Sequence, residues 1–279
     1  MKRIDGLRDI ADQFDLYLVD QYGVLHDGVA AYPGAIEGLA RIGSGGRDVI
    51  VLTNSGKDAS DNLARLKKLG FSGSHFRVVS SGEVGLQLVR SGGLGPKFTT
   101  GAPTCVIGRS GDRYAFSSDE FDLVARPADA AFLVFAGSDA PRTSLEAYRA
   151  QLQAAAQAGV PAICVNPDIT MIRDGELVPA PGAIAGIYED LGGRVDYIGK
   201  PHSAFFRHAL ALAASNVGAR TVMIGDSPEH DVCGGKAMGL STLLVRTGIH
   251  QSLAEPELLS LCEACGGTPD FLTAAFKWR

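Results

Sequence analysis

Leu16-Tyr17-Leu18-Val19-Asp20-Gln21-Tyr22-Gly23-Val24-Leu25 sets the frame for the whole chain. Four apolar residues in a row read as a strand buried on both faces. A carboxylate then stands at the strand's end, and a glycine follows it. Enzymes with parallel sheets place their chemistry at that point.

Working outward, apolar runs alternate with helical patterns. Asp48–Leu52 and Phe76–Ser80 read as strands, with helices at Gly34–Ile42 and Ser60–Leu69 between them. The second helix carries Leu63, Leu66 and Leu69 on one face, Lys67 and Lys68 near its end, and Gly70 as its stop. This alternation predicts an α/β fold, a Rossmann-like parallel sheet with helices on its faces. The rhythm changes after Ser91-Gly92-Gly93-Leu94-Gly95-Pro96. Short strands are expected at Cys105–Gly108 and Phe121–Val124, a longer one at Ala131–Ala136 and another at Ala162–Val165. A helix is expected at Leu145–Ala158, a hairpin at Met171–Val178 turned at Asp174-Gly175, and a helix at Ile184–Leu191. The first rhythm returns with Asp196–Gly199, a helix over Ser203–Ala214, and strands at Thr221–Ile224 and Thr242–Val245. A helix follows Leu253, and Phe271–Trp278 packs on the core. The expected organisation is a core domain of residues 1–82 and 198–279, interrupted by an inserted α/β domain of residues 83–197 with its own small sheet.

The bulk numbers narrow the function classes. With 279 residues the chain can bury one large core or two modest ones. A net charge of −5 gives no electrostatic reason to bind nucleic acid. No apolar stretch reaches the ~18–20 residues of a membrane span, and Met1-Lys2-Arg3-Ile4-Asp5-Gly6 has no signal-peptide core. The expectation is a cytoplasmic protein with no membrane partner. Cys262 and Cys265 form a C-x-x-C with no further zinc ligands nearby, and read as two ordinary thiols.

Four separated pieces, each at or after a strand end, carry chemistry. Asp20 suits a covalent nucleophile or a loop-capping carboxylate. Thr53-Asn54-Ser55 offers hydroxyl, amide and N–H groups that suit an anion, or equally a helix N-cap. Lys200, after Tyr197-Ile198-Gly199, suits neutralisation of phosphate, or a place on the surface. Asp226 and Asp231, in Gly225-Asp226-Ser227-Pro228-Glu229-His230-Asp231, stand five positions apart in one turn. They repel each other unless something positive separates them, and Mg²⁺ takes such oxygen ligands.

In this order and context the pieces resemble the haloacid dehalogenase-like hydrolase superfamily. The resemblance rests on Asp20–Gly28, Leu52–Ser55, Ser80–Glu83, Asn166-Pro167-Asp168, Gly199–Pro201, Gly225–Asp231 and Met238–Val245. More narrowly it is to subclass IIA, the branch with a large α/β cap and 4-nitrophenyl, pyridoxal and nucleotide phosphatase-like members. The resemblance implies that Asp20 attacks phosphorus and becomes a phospho-aspartate. It implies that Thr53 and the Asn54 backbone hold phosphoryl oxygens and that Lys200 stabilises the charge. It gives Mg²⁺ the carboxylates of Asp20, Asp226 and Asp231 and the backbone carbonyl of Tyr22. Asn166 and Asp168 are expected to contact the leaving group from the cap. The substrate it implies is a small phosphorylated metabolite, such as a sugar phosphate, a nucleotide or pyridoxal phosphate. A homodimer is also within its expectation.

One departure stands out. Phosphatases of this superfamily usually carry a second aspartate two residues after the nucleophile, and this chain has Tyr22. A phenol near pKa 10 is a poor base at neutral pH. His26, with Asp27 beside it on the same loop, is a candidate surrogate; its other reading is packing. Asp-x-Tyr is also the pattern of the metal-independent 2-haloacid dehalogenases, which is the alternative activity. A third alternative is a catalytically impaired protein that binds a phosphorylated ligand.

Overall fold

The computed structural model describes residues 1–72, 75–173, 175–213 and 220–279. In chain order the first elements are β1 (Lys2–Arg3), β2 (Leu16–Asp20), α1 (Ala35–Ser44), β3 (Asp48–Thr53), α2 (Ala59–Lys68), β4 (Arg77–Ser80) and α3 (Ser81–Arg90). Next come β5 (Pro103–Ile107), β6 (Asp122–Leu123), β7 (Phe132–Phe135), α4 (Leu145–Gln157), β8 (Pro161–Cys164), β9 (Thr170–Arg173), β10 (Glu176–Pro179), α5 (Pro181–Asp190) and β11 (Arg194–Tyr197). The chain closes with α6 (Ser203–Leu212), β12 (Thr221–Gly225), α7 (Gly234–Ala237), β13 (Ser241–Val245), α8 (Glu255–Ala264) and β14 (Phe271–Thr273). Asp174, expected in the hairpin turn, and Ala214, expected to end a helix, lie outside the described residues.

The chain divides into two compact units: Met1–Thr53, Ser60–Val79 and Lys200–Arg279 form one, and Asn54–Ala59 with Ser80–Gly199 form the other. The sequence reading placed residues 54–59, 80–82 and 198–199 in the core domain. Backbone bonding explains the difference. The Ser55 carbonyl accepts the Gly82 N–H at 3.0 Å, and the Gly56 carbonyl accepts the Ala115 N–H at 3.0 Å.

The first unit is built on a seven-stranded sheet of order β1-β14-β13-β12-β2-β3-β4. β2 lies near its middle, paired in parallel with β12 on one side and β3 on the other. That position buries every residue of β2. Burial of each large apolar side chain there contributes about 1.5–3 kcal/mol, so Leu18→Ala would cost about 2–5 kcal/mol. Helix α1 turns Ala35, Leu39 and Ile42, at helical spacing, into the core. The C-terminal tail packs as expected, with Phe276 buried in this core and Trp278 against it. β1, too short for a periodic signal, pairs in parallel with β14.

The second unit has its own sheet of order β11-β8-β7-β5-β6, parallel throughout. Its core gathers Leu133, Phe135, Leu152, Ala162, Ile184 and Tyr188. β9 and β10 form a separate antiparallel hairpin. Helix α3, absent from the sequence reading, starts at Ser80, whose hydroxyl accepts the Glu83 N–H.

The C-x-x-C is not a pair of free thiols. Cys265 is joined in a disulfide to Cys233, 32 residues away, and Cys262 is free and buried. Packing of α8 against the segment that ends at Cys233 makes this partner, which local spacing does not reveal. Among the described residues no helix is long and apolar enough to cross a membrane.

Candidate active site

In the first sheet, β2 connects through α1 to β3 on one side, while β12 leads to β13 on the other. Between β2 and β12 the connections therefore leave in opposite directions, which opens a crevice at the carboxyl ends of the strands. Asp20 is the last residue of β2, and Asp226 follows the last residue of β12. Asp231 sits in a π-helical turn, Pro228–Cys233, whose first turn is capped by the Ser227 hydroxyl. All three carboxylates are buried, and each offers an oxygen within 4.8 Å of the others.

Lys200 is the cation of this cluster, itself only 3% exposed. Its Nζ donates to Asp20 Oδ1 at 2.5 Å and to Asp231 Oδ1 at 2.7 Å. Asp231 Oδ2 also accepts the Ser227 N–H at 3.0 Å. Burial works against the ammonium charge, but Asp20 and Asp231 outweigh it and raise the Lys200 pKa above the usual lysine range. Asp226 has the opposite problem. Burial, then the charges of Asp20 and Asp231, push its carboxyl well above the ordinary range, and Lys200 offsets this only in part. Three buried carboxylates against one ammonium leave a surplus of negative charge that a hard divalent cation would neutralise. The donor set, all oxygen, suits Mg²⁺.

Two glycines fix Asp226. Gly23 (φ +88°) and Gly248 (φ +71°) adopt the left-handed conformation, and a Cβ on either would run into the Asp226 carboxylate. The Thr247 hydroxyl donates to the Gly23 carbonyl at 2.5 Å and ties these two loops together. Sequence reading missed Gly248 and Thr247, and gave Ser227, within the quoted turn, no role of its own. Gly23 stood within the informative run, but nothing local marks a glycine more than two hundred residues further on as its neighbour.

Tyr22 folds back on its own loop. Its ring meets the His26 ring edge-on at 5.4 Å and lies against Gly28. Burial, then the charges of Asp27 and Asp226, raise the phenol pKa, against Arg65, so the hydroxyl stays protonated. His26 is 1% exposed. Its Nδ1 accepts the Gly28 N–H at 2.9 Å, so Nε2 carries the proton of the neutral ring. Nε2 faces the Gln21 side-chain amide at 3.1 Å. With the amide oxygen turned toward it, the otherwise unpartnered buried Oε1 of Gln21 accepts that proton. Burial first, and then Arg65, hold the imidazole pKa down at about 4. Both ring nitrogens are thus engaged in shaping the loop, which speaks against the surrogate acid–base role expected for His26.

Thr53 ends β3 beside β2 and is buried. Asn54, Asn166 and Asp168 come together within the second unit. Asn54 Nδ2 donates to Asp168 Oδ1 at 2.7 Å, and Asn166 Oδ1 accepts the Asp168 N–H at 3.1 Å. Asn166 therefore caps its own turn. Ser55 Oγ likewise accepts the Lys57 N–H at 3.2 Å.

The comparisons with known proteins agree with this layout. A family model described as Haloacid dehalogenase-like hydrolase matches residues 17–121, and a second, described as HAD-hydrolase-like, matches 197–261. The chain is 32% identical over 235 residues to dihydroxyacetone phosphatase of Corynebacterium glutamicum (strain R), covering 84% of this chain and 81% of the relative. It is 30% identical over 265 residues to chronophin of Bos taurus, covering 90% and 87%. A solved haloacid dehalogenase-like hydrolase from Brucella suis 1330 superposes with a TM-score of 0.80 at 28% identity, covering 98% of this chain and 99% of that one. Together the two matches span the strand ends that carry Asp20, Lys200, Asp226 and Asp231, and with relatives this similar over most of its length the chain belongs to the haloacid dehalogenase-like hydrolases.

Proposed function

We propose that the protein is a phosphomonoesterase, Mg²⁺-dependent, that acts on small phosphorylated metabolites through Asp20. The observation that carries this reading is the buried contact of Lys200 with both Asp20 and Asp231, beside Asp226. An Asp20 oxygen attacks phosphorus, the Asp20 O–P bond forms, and the bond to the leaving oxygen breaks. The departing oxygen takes up a proton from solvent, and a water molecule then attacks phosphorus, breaking the Asp20 O–P bond, freeing phosphate and restoring the Asp20 carboxylate. Lys200 holds Asp20 ionised and aimed, and faces the charge that develops on the phosphoryl group. Thr53, at the neighbouring strand end, and the Asn54 backbone supply donors to the phosphoryl oxygens. Asp20, Asp226, Asp231 and the Tyr22 carbonyl would hold Mg²⁺, which when bound neutralises phosphoryl charge.

The dihydroxyacetone phosphatase relative points to three-carbon phosphates as the first substrates to try. Nucleotides and pyridoxal phosphate follow. The second unit serves as the cap, and a cytoplasmic homodimer completes the proposal. Phosphate release from such a panel with Mg²⁺ is the test. Activity lost in Asp20→Asn supports the reading, and wild-type protein inert toward the whole panel sinks it.

Asp20-Gln21-Tyr22 favours one second reading, a metal-independent 2-haloacid dehalogenase. Chloride release from 2-chloropropionate in the presence of a chelator would establish it. The surplus of buried carboxylates weighs against it, since a metal-free site has no use for Asp226.

A further inference from the structure

The second sheet repeats the topology that places Asp20 and Asp226 in the first. β5 runs on to β6 at one edge, whereas β7 runs on to β8 on the other side. The connections therefore diverge between β5 and β7. Open parallel sheets bind ligands in the crevice at the carboxyl ends of two such strands.

A cavity of about 450 Å³ lies there, within the range of small-molecule sites. Arg109 beyond β5, Asp139 and Thr143 beyond β7, and Tyr114, Tyr148 and Gln151 line it. Tyr114 is wedged between the two strand ends, since a side chain on Gly108 or Gly137 would collide with its ring. Its hydroxyl accepts the Arg109 N–H at 2.9 Å, and the Tyr148 hydroxyl accepts the Asp139 N–H at 2.8 Å. Both tyrosines are buried. Among the described residues, neither hydroxyl proton has an acceptor, and the buried Oδ1 of Asp139 has no donor. Buried polar groups left in this state cost free energy.

We propose that this cavity binds a neutral polyol of monosaccharide size. The chemistry of the unpaired groups selects the class. An ammonium compound would serve Asp139 and leave the tyrosyl protons without acceptors. An anion would serve the tyrosines and Arg109 and be repelled by Asp139. Hydroxyl groups both donate and accept, so one polyol supplies a donor to Asp139 and acceptors to Tyr114 and Tyr148. Arg109 and Gln151 add donors at the rim, and the aromatic rings give walls for the carbon skeleton.

Saturation-transfer NMR and titration calorimetry on the full chain test this with D-glucose, D-ribose, D-sorbitol and myo-inositol as probes. At least one probe should bind saturably. Asp139→Asn and Tyr148→Phe should each weaken it about tenfold, with melting curves confirming that each variant is folded. Asp20→Asn should bind it as the wild type does. Absence of saturation transfer from all four probes overturns the proposal. So does equal binding by wild type and Tyr148→Phe, the variant that keeps the ring in place. Loss of binding in Asp20→Asn would put the polyol at the other crevice and overturns it as well.

Discussion

Lys200 is the residue on which the acidic cluster depends. It is the buried partner of both Asp20 and Asp231, and removing one member of a buried ion pair strands the others without compensation. Lys200→Met should therefore lower stability by about 3–5 kcal/mol in chemical denaturation as well as abolish activity. Tyr22 bears on the proposed chemistry in a different way. Its phenol stays protonated, so it is a poor base for water in the second step. Tyr22→Asp should raise turnover by about 10²–10⁴-fold on an alkyl phosphate, and by less on 4-nitrophenyl phosphate, whose leaving group needs no proton. Equal turnover in wild type and variant would show that Tyr22 is not limiting. His26 gives a pH signature. Its folded pKa of about 4 lies below the free-imidazole value of 6.5. The fold thus favours the neutral ring, and the native state binds fewer protons than the unfolded chain. Stability from this residue is full above about pH 6.5 and is lost as pH falls toward 4. At about 1.4 kcal/mol per pH unit the loss approaches about 3 kcal/mol. Urea midpoints between pH 7 and pH 4 should show it, and His26→Gln should flatten that slope.

At the scale of elements, the segment after β12 carries the most consequence. It holds Asp226 at its start, Asp231 in the π-helical turn, and Cys233 at that turn's end. The disulfide from Cys233 to Cys265 ties this turn to the end of α8. Helix α8 in turn buries Leu258 and Cys262 against Val232, Leu244 and Leu272. A cross-link closing a loop of this length restricts the unfolded chain and typically stabilises by about 2–4 kcal/mol. Cys265→Ser should lose about that much in a denaturant titration under oxidising conditions. Excess dithiothreitol should bring wild type and variant to the same midpoint. Helices α1 and α3 follow simpler rules. α3 begins where the Ser80 side chain meets the first free N–H groups, and α1 forms because three apolar residues recur at helical spacing.

At the scale of the whole chain, two parallel sheets each open a crevice where their connections diverge, and the residues there differ in kind. The first crevice collects acids around one lysine, an all-oxygen donor set that suits a divalent cation. Mg²⁺ at a hundred times its Kd should stabilise the protein by about 2.7 kcal/mol, seen as a raised melting temperature that a chelator reverses. Asp226→Asn should abolish that shift. The α/β class, most strands and the four chemistry-bearing pieces were legible in the amino-acid sequence, because alternating apolar runs and polar strand ends are local patterns. Family membership was legible for the same reason. Proximity was not. Lys200 reaches Asp20 across 180 positions, and Gly248 presses on Asp226 from another loop. Cys233 finds Cys265 rather than staying a free thiol, and residues 54–59 bond to the second unit although they follow β3. His26 resembled a proton carrier by type, and burial with two hydrogen-bonded nitrogens made it a brace for the loop. Which residue types stand at strand ends follows from near neighbours along the chain, because these set backbone period and turn chemistry. Which of them share a buried space follows from the fold, because burial, pairing of charges and pKa depend on groups that the chain brings together from far apart.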